Sequence, residues 1–210
     1  MLDTAITKLN FTVDLNALKE YHNTLINQYE HLRWEWHKNG KEITEEWYNR
    51  ILSNGIGCTY PYGWAIQSNL VDKSIPCPPY NISIHPRSTY EDTELMFGIV
   101  KKIKDLMPYT YRWSLVVQPP GGKVSRHIDA GDEYTAHIPI VEAPGAIFKF
   151  WDNDNNQKDF NMVADGNVYL VDTIIEHETE NYGTEDRVGI VFRFKRKDLP
   201  KLLEITGHIT

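Results

Sequence analysis

Four side chains in the second half of the sequence have the types and spacing of a metal site with an anion clamp. His127 and Asp129 lie two apart in SRHIDAGD. In an extended segment, positions two apart point to the same side, with Cα atoms about 6.5 Å apart, so an imidazole and a carboxylate can converge on one cation. His177 lies 50 residues further on, after the apolar run VYLVD, which places it at the end of a core strand. It completes two histidines and one carboxylate, the donor set that leaves three coordination positions open on non-haem Fe(II). Arg187 follows ten residues later. Ten extended residues span about 33 Å, but Asn181-Tyr182-Gly183 is a turn signal that folds the chain back and returns Arg187 to the neighbourhood of His177. A guanidinium above a metal with open positions is a fork for a carboxylate.

Each residue also has a structural reading. His127 reads as a turn residue, Asp129 as an Asx-turn former, His177 as a capping histidine and Arg187 as a solvent-facing hairpin edge. The strand pattern bears on Arg187. If residues 187–194 alternate, Arg187 shares a face with Gly189, Val191 and Arg193, while Val188, Ile190, Phe192 and Phe194 face the other way. Gly189 then leaves room beside Arg187 for a ligand, and Arg193 is the fallback for the fork. Other motifs fail. Asp152-Asn153-Asp154-Asn155-Asn156 begins like an EF-hand loop, but Gln157 stands where Gly is needed and Val163 where Glu is needed, so it reads as a polar hairpin turn. His31 and His37 flank Trp34 and Trp36 at a spacing of six, which is not a helical ligand pair. Gly121-Gly122-Lys123 lacks the rest of a phosphate loop.

The elements that must position these residues are β strands. Tyr111 to Gln118, Tyr134 to Val141, Ala146 to Trp151, Asn167 to Asp172 and Arg187 to Phe194 read as strands, separated by turn signals at 119–122, 143–145, 165–166 and 181–183. Closely spaced strands with hairpin turns indicate a sandwich or a jelly roll. Residues 1–108 read mainly helical. Leu9 to Val13 reads as a short strand, and Leu15 to Tyr29 as an amphipathic helix with Asp14 as N-cap. A short helix is expected from Thr44. Gly55 to Pro86 reads as irregular chain with an embedded strand near Trp64 to Gln67. Thr89 to Met107 reads as a helix presenting Leu95, Ile99, Ile103 and Leu106, stopped by Pro108. Residues 197–210 read as a short helical tail. The expectation is one domain: a helical N-terminal region (1–108), a β core (109–196) and the tail.

Composition narrows the function classes. The 210 residues carry 22 basic and 29 acidic side chains, a net charge of −7, which argues against broad nucleic-acid binding. Two cysteines, Cys58 and Cys77, make neither a disulfide framework nor a cysteine-rich zinc site. No apolar run approaches a membrane span and no signal peptide is visible, so a cytoplasmic protein is expected, without membrane or nucleic-acid partners. The oligomeric state is not legible.

The HxD pair, the distal histidine and the arginine at +10 resemble the Fe(II)/2-oxoglutarate-dependent oxygenases, and more closely the aspartyl/asparaginyl β-hydroxylase-like group that includes bacterial free-proline hydroxylases. The similar stretches are WSLVVQPPGGKVSRHID, TAHIPIVEAPG and GNVYLVDTIIEHETENYGTEDRVGIVFRF, within residues 113–194. The resemblance implies a double-stranded β-helix with the helical region packed against it. It implies Fe(II) on His127, Asp129 and His177, and 2-oxoglutarate as co-substrate with its distal carboxylate on Arg187. His137 matches a histidine that contacts the co-substrate in relatives, although it reads equally as a core histidine; Ser114 is a looser match for a serine with that role and reads first as structural. The implied activity is hydroxylation of a C–H bond of an amino acid, free or within a peptide, using dioxygen. The mammalian aspartyl hydroxylases lack the carboxylate that Asp129 supplies, so the chain looks more like the bacterial branch. Relatives often carry an arginine two residues before the co-substrate histidine, where Thr135 stands here. The alternative is a metal-binding cupin-type protein without oxygenase activity, either an isomerase or hydrolase or a non-catalytic binding module.

Overall fold

The computed structural model describes residues 5–35, 58–59, 62–69, 90–129 and 132–210. The helix expected from Thr44, along with Cys77, lies outside these residues. In chain order the elements are β1 (Ile6–Val13), α1 (Leu15–Gln28), β2 (Trp34–Glu35), β3 (Cys58–Thr59), β4 (Tyr62–Ala65), β5 (Gln67–Asn69), β6 (Tyr90–Asp92), α2 (Gly98–Leu106), β7 (Tyr111–Gln118), β8 (Lys123–His127), β9 (Glu133–Val141), β10 (Ala146–Trp151), β11 (Gln157–Phe160), β12 (Asn167–Val171), β13 (His177–Asn181), β14 (Arg187–Lys195), α3 (Leu199–Leu203) and β15 (Gly207–Ile209).

Two sheets face each other. The larger runs β15-β1-β12-β9-β14-β7-β4-β2 and the smaller β11-β10-β13-β8-β3. From β7 to β14 the chain passes back and forth between them: β7, β9, β12 and β14 lie in the larger sheet, β8, β10, β11 and β13 in the smaller. Adjacent strands among these eight pair antiparallel. This is the winding of a jelly roll, a double-stranded β-helix core.

Alternation along β14 assigns the two faces of the larger sheet. Val188, Ile190, Phe192 and Phe194 are buried, and Arg187, Gly189, Val191 and Arg193 are half-buried. The buried set faces away from the smaller sheet and packs with Trp113, Leu115 and Val117 of β7 and with Leu18, Leu25, Val100 and Ile103 of the helices in one apolar cluster. Phe192 lies flat on Trp113, ring centroids 4.1 Å apart. The helical layer therefore closes the outer face, and the inner face is left to polar groups and a smaller cluster built on Phe148, Phe150 and Val171. Asp14 caps α1 by accepting hydrogen bonds from the Asn16 and Ala17 amides, a contact typically worth about 1 kcal/mol.

The sequence reading departs from the structure at several places, of which four bear on the core and the site. The helix expected over 89–107 begins only at Gly98, because residues 90–92 pair as β6 with β5. Leu106 is exposed rather than on the packed face; Val100 takes that place. The tail is helical only to Leu203 and ends as β15, parallel to β1. His177 does not end the preceding strand. A turn intervenes after Val171, and His177 opens β13 in the opposite sheet.

Candidate metal centre

Strand pairing brings the two histidines together. His127, the last residue of β8, is the cross-strand partner of His177, the first of β13, and their rings are 4.4 Å apart. Asp129 lies just past the end of β8, where its amide donates to the Thr173 carbonyl of the β12–β13 turn at 2.9 Å. One ligand atom from each of the three lies within 4.8 Å of the others. The His127 Nδ1 is 2.6 Å from the Ser125 carbonyl and the His177 Nδ1 is 2.9 Å from the Ile175 carbonyl. Nδ1–H donation to these carbonyls leaves each Nε2 lone pair free, the tautomer a metal requires.

Electrostatics fit the same use. The Asp129 carboxylate is held well below its usual range: burial opposes ionisation, but Arg193 and the two imidazoles outweigh it. Burial and the neighbouring His127 push His177 down, keeping it neutral. Burial also lowers His127, but its hydrogen bonds to Asp129 and Ser125 prevail and raise it. Two neutral-capable nitrogens and an ionised oxygen, steered by backbone carbonyls, suit a borderline divalent cation.

Arg187 and Arg193 separate in role. Arg193 Nη2 donates to Asp129 Oδ2 at 2.8 Å, and Nη1 donates to Glu133 at 3.4 Å. Glu133 also accepts from Lys195 at 2.7 Å and from the Tyr111 hydroxyl at 2.6 Å. Arg193 is therefore engaged with carboxylates of the protein and is not a free fork. Arg187 donates to Gln118 Oε1 at 3.2 Å, contacts the Met162 sulfur at 3.9 Å and lies 4.3 Å over the Phe148 ring. Burial brings its pKa down to about 10. Among the described residues it pairs with no carboxylate. Its position follows from the turn after β13: the Asn181 side chain donates to the Gln118 and Glu185 carbonyls and accepts from the Gly183 amide. A Cβ at Gly183 would fall 2.1 Å from the Pro144 carbonyl oxygen.

His137 sits opposite Val191 and Tyr169 on the inner face of β9. Its ring meets Phe148 edge-on at 5.2 Å. Burial and the nearby Arg187 hold it well below its ordinary pKa, so it is a neutral imidazole. Ser114 is buried on the inner face of β7, opposite Val191. Gly189 has a cause the sequence did not show: the ladder to β9 shifts register beside it, and a Cβ would lie 3.2 Å from the Ile138 carbonyl oxygen. Gln118, Phe148 and the Arg193–Glu133 network were missed from the sequence. Register alone links them, apart from the six-residue spacing of Arg187 and Arg193 on one strand face.

No family model matches the chain, and no curated protein matches it. Among solved structures, it is similar to a 2OG-Fe(II) oxygenase family oxidoreductase from Burkholderia pseudomallei, at 12% identity and TM-score 0.46 over 90% of this chain and 96% of that one. A Pseudomonas putida prolyl-4-hydroxylase overlaps at 20% identity and TM-score 0.35 over 45% of this chain and 59% of that one. A cupin domain from Bordetella pertussis overlaps at 15% identity and TM-score 0.32, over 41% and 81% respectively. The fold assignment rests on the strand order described above.

Proposed function

We propose that the protein is an Fe(II)- and 2-oxoglutarate-dependent dioxygenase that hydroxylates a C–H bond of an amino acid, free or within a peptide. The observation that carries this reading is Arg187: a half-buried residue whose desolvated guanidinium meets no carboxylate among the described residues, on the inner face of the barrel that also holds His127, Asp129 and His177. Burying an unpaired charge is costly, and an incoming carboxylate removes that cost.

His127 and His177 offer Nε2 and Asp129 offers Oδ1, the carboxylate oxygen on the His127 side. Iron bound there would supply the coupling of dioxygen and 2-oxoglutarate, giving succinate and CO2 and inserting one oxygen atom into the substrate C–H bond. Arg187 holds the far carboxylate of the co-substrate through its fork. Gln118, which also donates to the Thr179 carbonyl across the barrel, fixes the guanidinium's orientation. Neutral His137 keeps one N–H donor and one acceptor beside the co-substrate, and Ser114 forms part of the wall. Phe148 and Phe150, stacked at 6.0 Å between Arg187 and His177, exclude water from the space between clamp and metal. A divalent metal and Arg187, set against Asp129, balance the double charge of 2-oxoglutarate. The aspartyl/asparaginyl hydroxylase-like branch, the amino-acid substrate class and dioxygen as the oxidant follow from the motif resemblance.

The test is succinate release from 2-oxoglutarate under air with Fe(II), over a panel of free amino acids and short peptides. Co-substrate-dependent succinate formation that Asp129→Ala abolishes is expected. Tight metal binding with no consumption or binding of 2-oxoglutarate would instead make the chain a metal-binding cupin-type protein.

A further inference from the structure

We infer that Arg196 is a positioning residue that clasps together the two chain segments carrying the metal ligands; this rests on the metal reading above. The ligands come from separate connections. Asp129 lies beyond β8, and His177 follows the turn that leaves β12. His177 itself is paired in the β8–β13 and β10–β13 ladders, but Asp129 and residues 172–176, which lead into His177, lie outside the strands. Arg196, immediately after β14, joins both. Its guanidinium grips Asp172 with two nitrogens, Nη2 on Oδ1 and Nη1 on Oδ2, the latter at 3.2 Å. Its backbone amide donates to the Asp132 carbonyl at 3.1 Å. Its flat face lies 4.1 Å over the Tyr134 ring. Asp172 is 3% exposed and organises the turn that ends at His177: its Oδ1 accepts from the Ile174 amide at 3.3 Å, and its carbonyl accepts from the Ile175 amide at 3.2 Å.

The neighbouring Thr173 carbonyl accepts the Asp129 amide, and the Ile175 carbonyl accepts the His177 Nδ1–H. A path of direct contacts thus runs from the Arg196 guanidinium through Asp172 to the carbonyls that orient two of the three ligands. Arg196 also reaches, through its own amide, the segment three residues past Asp129. It touches none of the triad, so its effect is on how well the empty site is preorganised. A planar fork matters here. Lysine would keep the charge but could not engage both oxygens of Asp172 while stacked on Tyr134.

The experiment measures Mn(II) and Co(II) affinity of the full chain by calorimetry, below the unfolding temperature of every variant. Arg196→Met should weaken metal binding about 10- to 100-fold, the usual cost of losing a partner that orients metal ligands. Arg196→Lys should recover part of the loss, and Asp172→Asn should reproduce it. With metal saturating, 2-oxoglutarate affinity should stay within about twofold of wild type, because Arg187 is untouched. Leu202→Ala, which removes a buried side chain of α3 from the apolar cluster on the outer face of the larger sheet, is the stability control and should leave metal affinity unchanged. Wild-type metal affinity in the Arg196 and Asp172 variants, or an equal loss in Leu202→Ala, would overturn the inference. If Arg196→Met does not fold, the Lys and Asn variants decide by the same criterion. Absence of metal binding in the wild-type chain would instead overturn the metal reading itself.

Discussion

Replacing Arg187 by methionine separates a co-substrate clamp from a structural arginine. The variant keeps an unbranched side chain but loses the charge, together with the guanidinium that touches Met162 and Phe148. If the guanidinium exists to receive a carboxylate, the pair it makes when loaded is worth about 2–5 kcal/mol. At about 1.4 kcal/mol per decade, 2-oxoglutarate affinity should fall between roughly 30-fold and several thousandfold. The empty protein should behave in the opposite sense. Among the described residues Arg187 faces Gln118, Met162 and the Phe148 ring and no carboxylate, so removing this desolvated charge should leave stability unchanged or raise it. Thermal unfolding of the Mn(II)-loaded protein, with and without 2-oxoglutarate, reads both effects. At a hundredfold excess over Kd, ligand binding adds about 2.7 kcal/mol. For a chain of this size that is roughly a 5–11 °C rise in Tm, at 2–4 °C per kcal/mol. Wild type should show the rise, Arg187→Lys a reduced one and Arg187→Met at most about 0.9 kcal/mol, roughly 2–3 °C, at a 30-fold loss and nearly none at the larger losses. A methionine variant that keeps the full ligand-induced rise, or one whose empty form is strongly destabilised, would refute the reasoning.

Arg193→Met removes the cation on Asp129 Oδ2 and should weaken metal binding about 10- to 100-fold in a competition titration, with a smaller effect on 2-oxoglutarate than Arg187→Met. Phe192→Ala empties a fully buried position stacked on Trp113 and should cost about 3–5 kcal/mol in denaturant unfolding. The acid limb of stability should respond to Lys149. Burial opposes ionisation of Glu180, but hydrogen bonds from Lys149 and Tyr182 prevail and hold its carboxyl at about 2, against an unfolded value near 4.3. This contribution is fully present above the unfolded value and is lost as pH falls through the folded one. Lys149→Met should therefore lose less stability than wild type between about pH 4.3 and 2 in a pH-resolved unfolding series.

The sequence was legible where one periodicity ruled a segment. The strict alternation in RVGIVFRF placed Arg187, Gly189, Val191 and Arg193 on one face, and β14 follows it over its whole length. The strand over 111–118 has the bounds expected from its apolar run. Legibility failed where polar strands carry no alternation: KVSRH, QKDF and HETEN form β8, β11 and β13, of which β11 is an exposed edge while β13 lies inside the smaller sheet with polar His177, Glu178 and Asn181 buried. The triad was visible as residue types, but the contacts that tune it were not. The Arg193–Asp129 pair spans 64 positions and the Arg196–Asp172 pair 24, and register between strands, not local pattern, sets both. Leu106 shows the converse error. Helical spacing made it a core residue, yet Val100, Ile103 and Met107 are the buried residues there and Leu106 falls beside the face they form.

The most direct measurement is an anaerobic titration of the Fe(II)-loaded protein with 2-oxoglutarate, followed by visible absorption. A weak charge-transfer band should grow to saturation at one co-substrate per iron, be absent in His177→Ala and Asp129→Ala, and require far higher co-substrate in Arg187→Met. No band in an iron-loaded wild-type protein, or an undiminished band in the ligand variants, would contradict the shared use of these four residues.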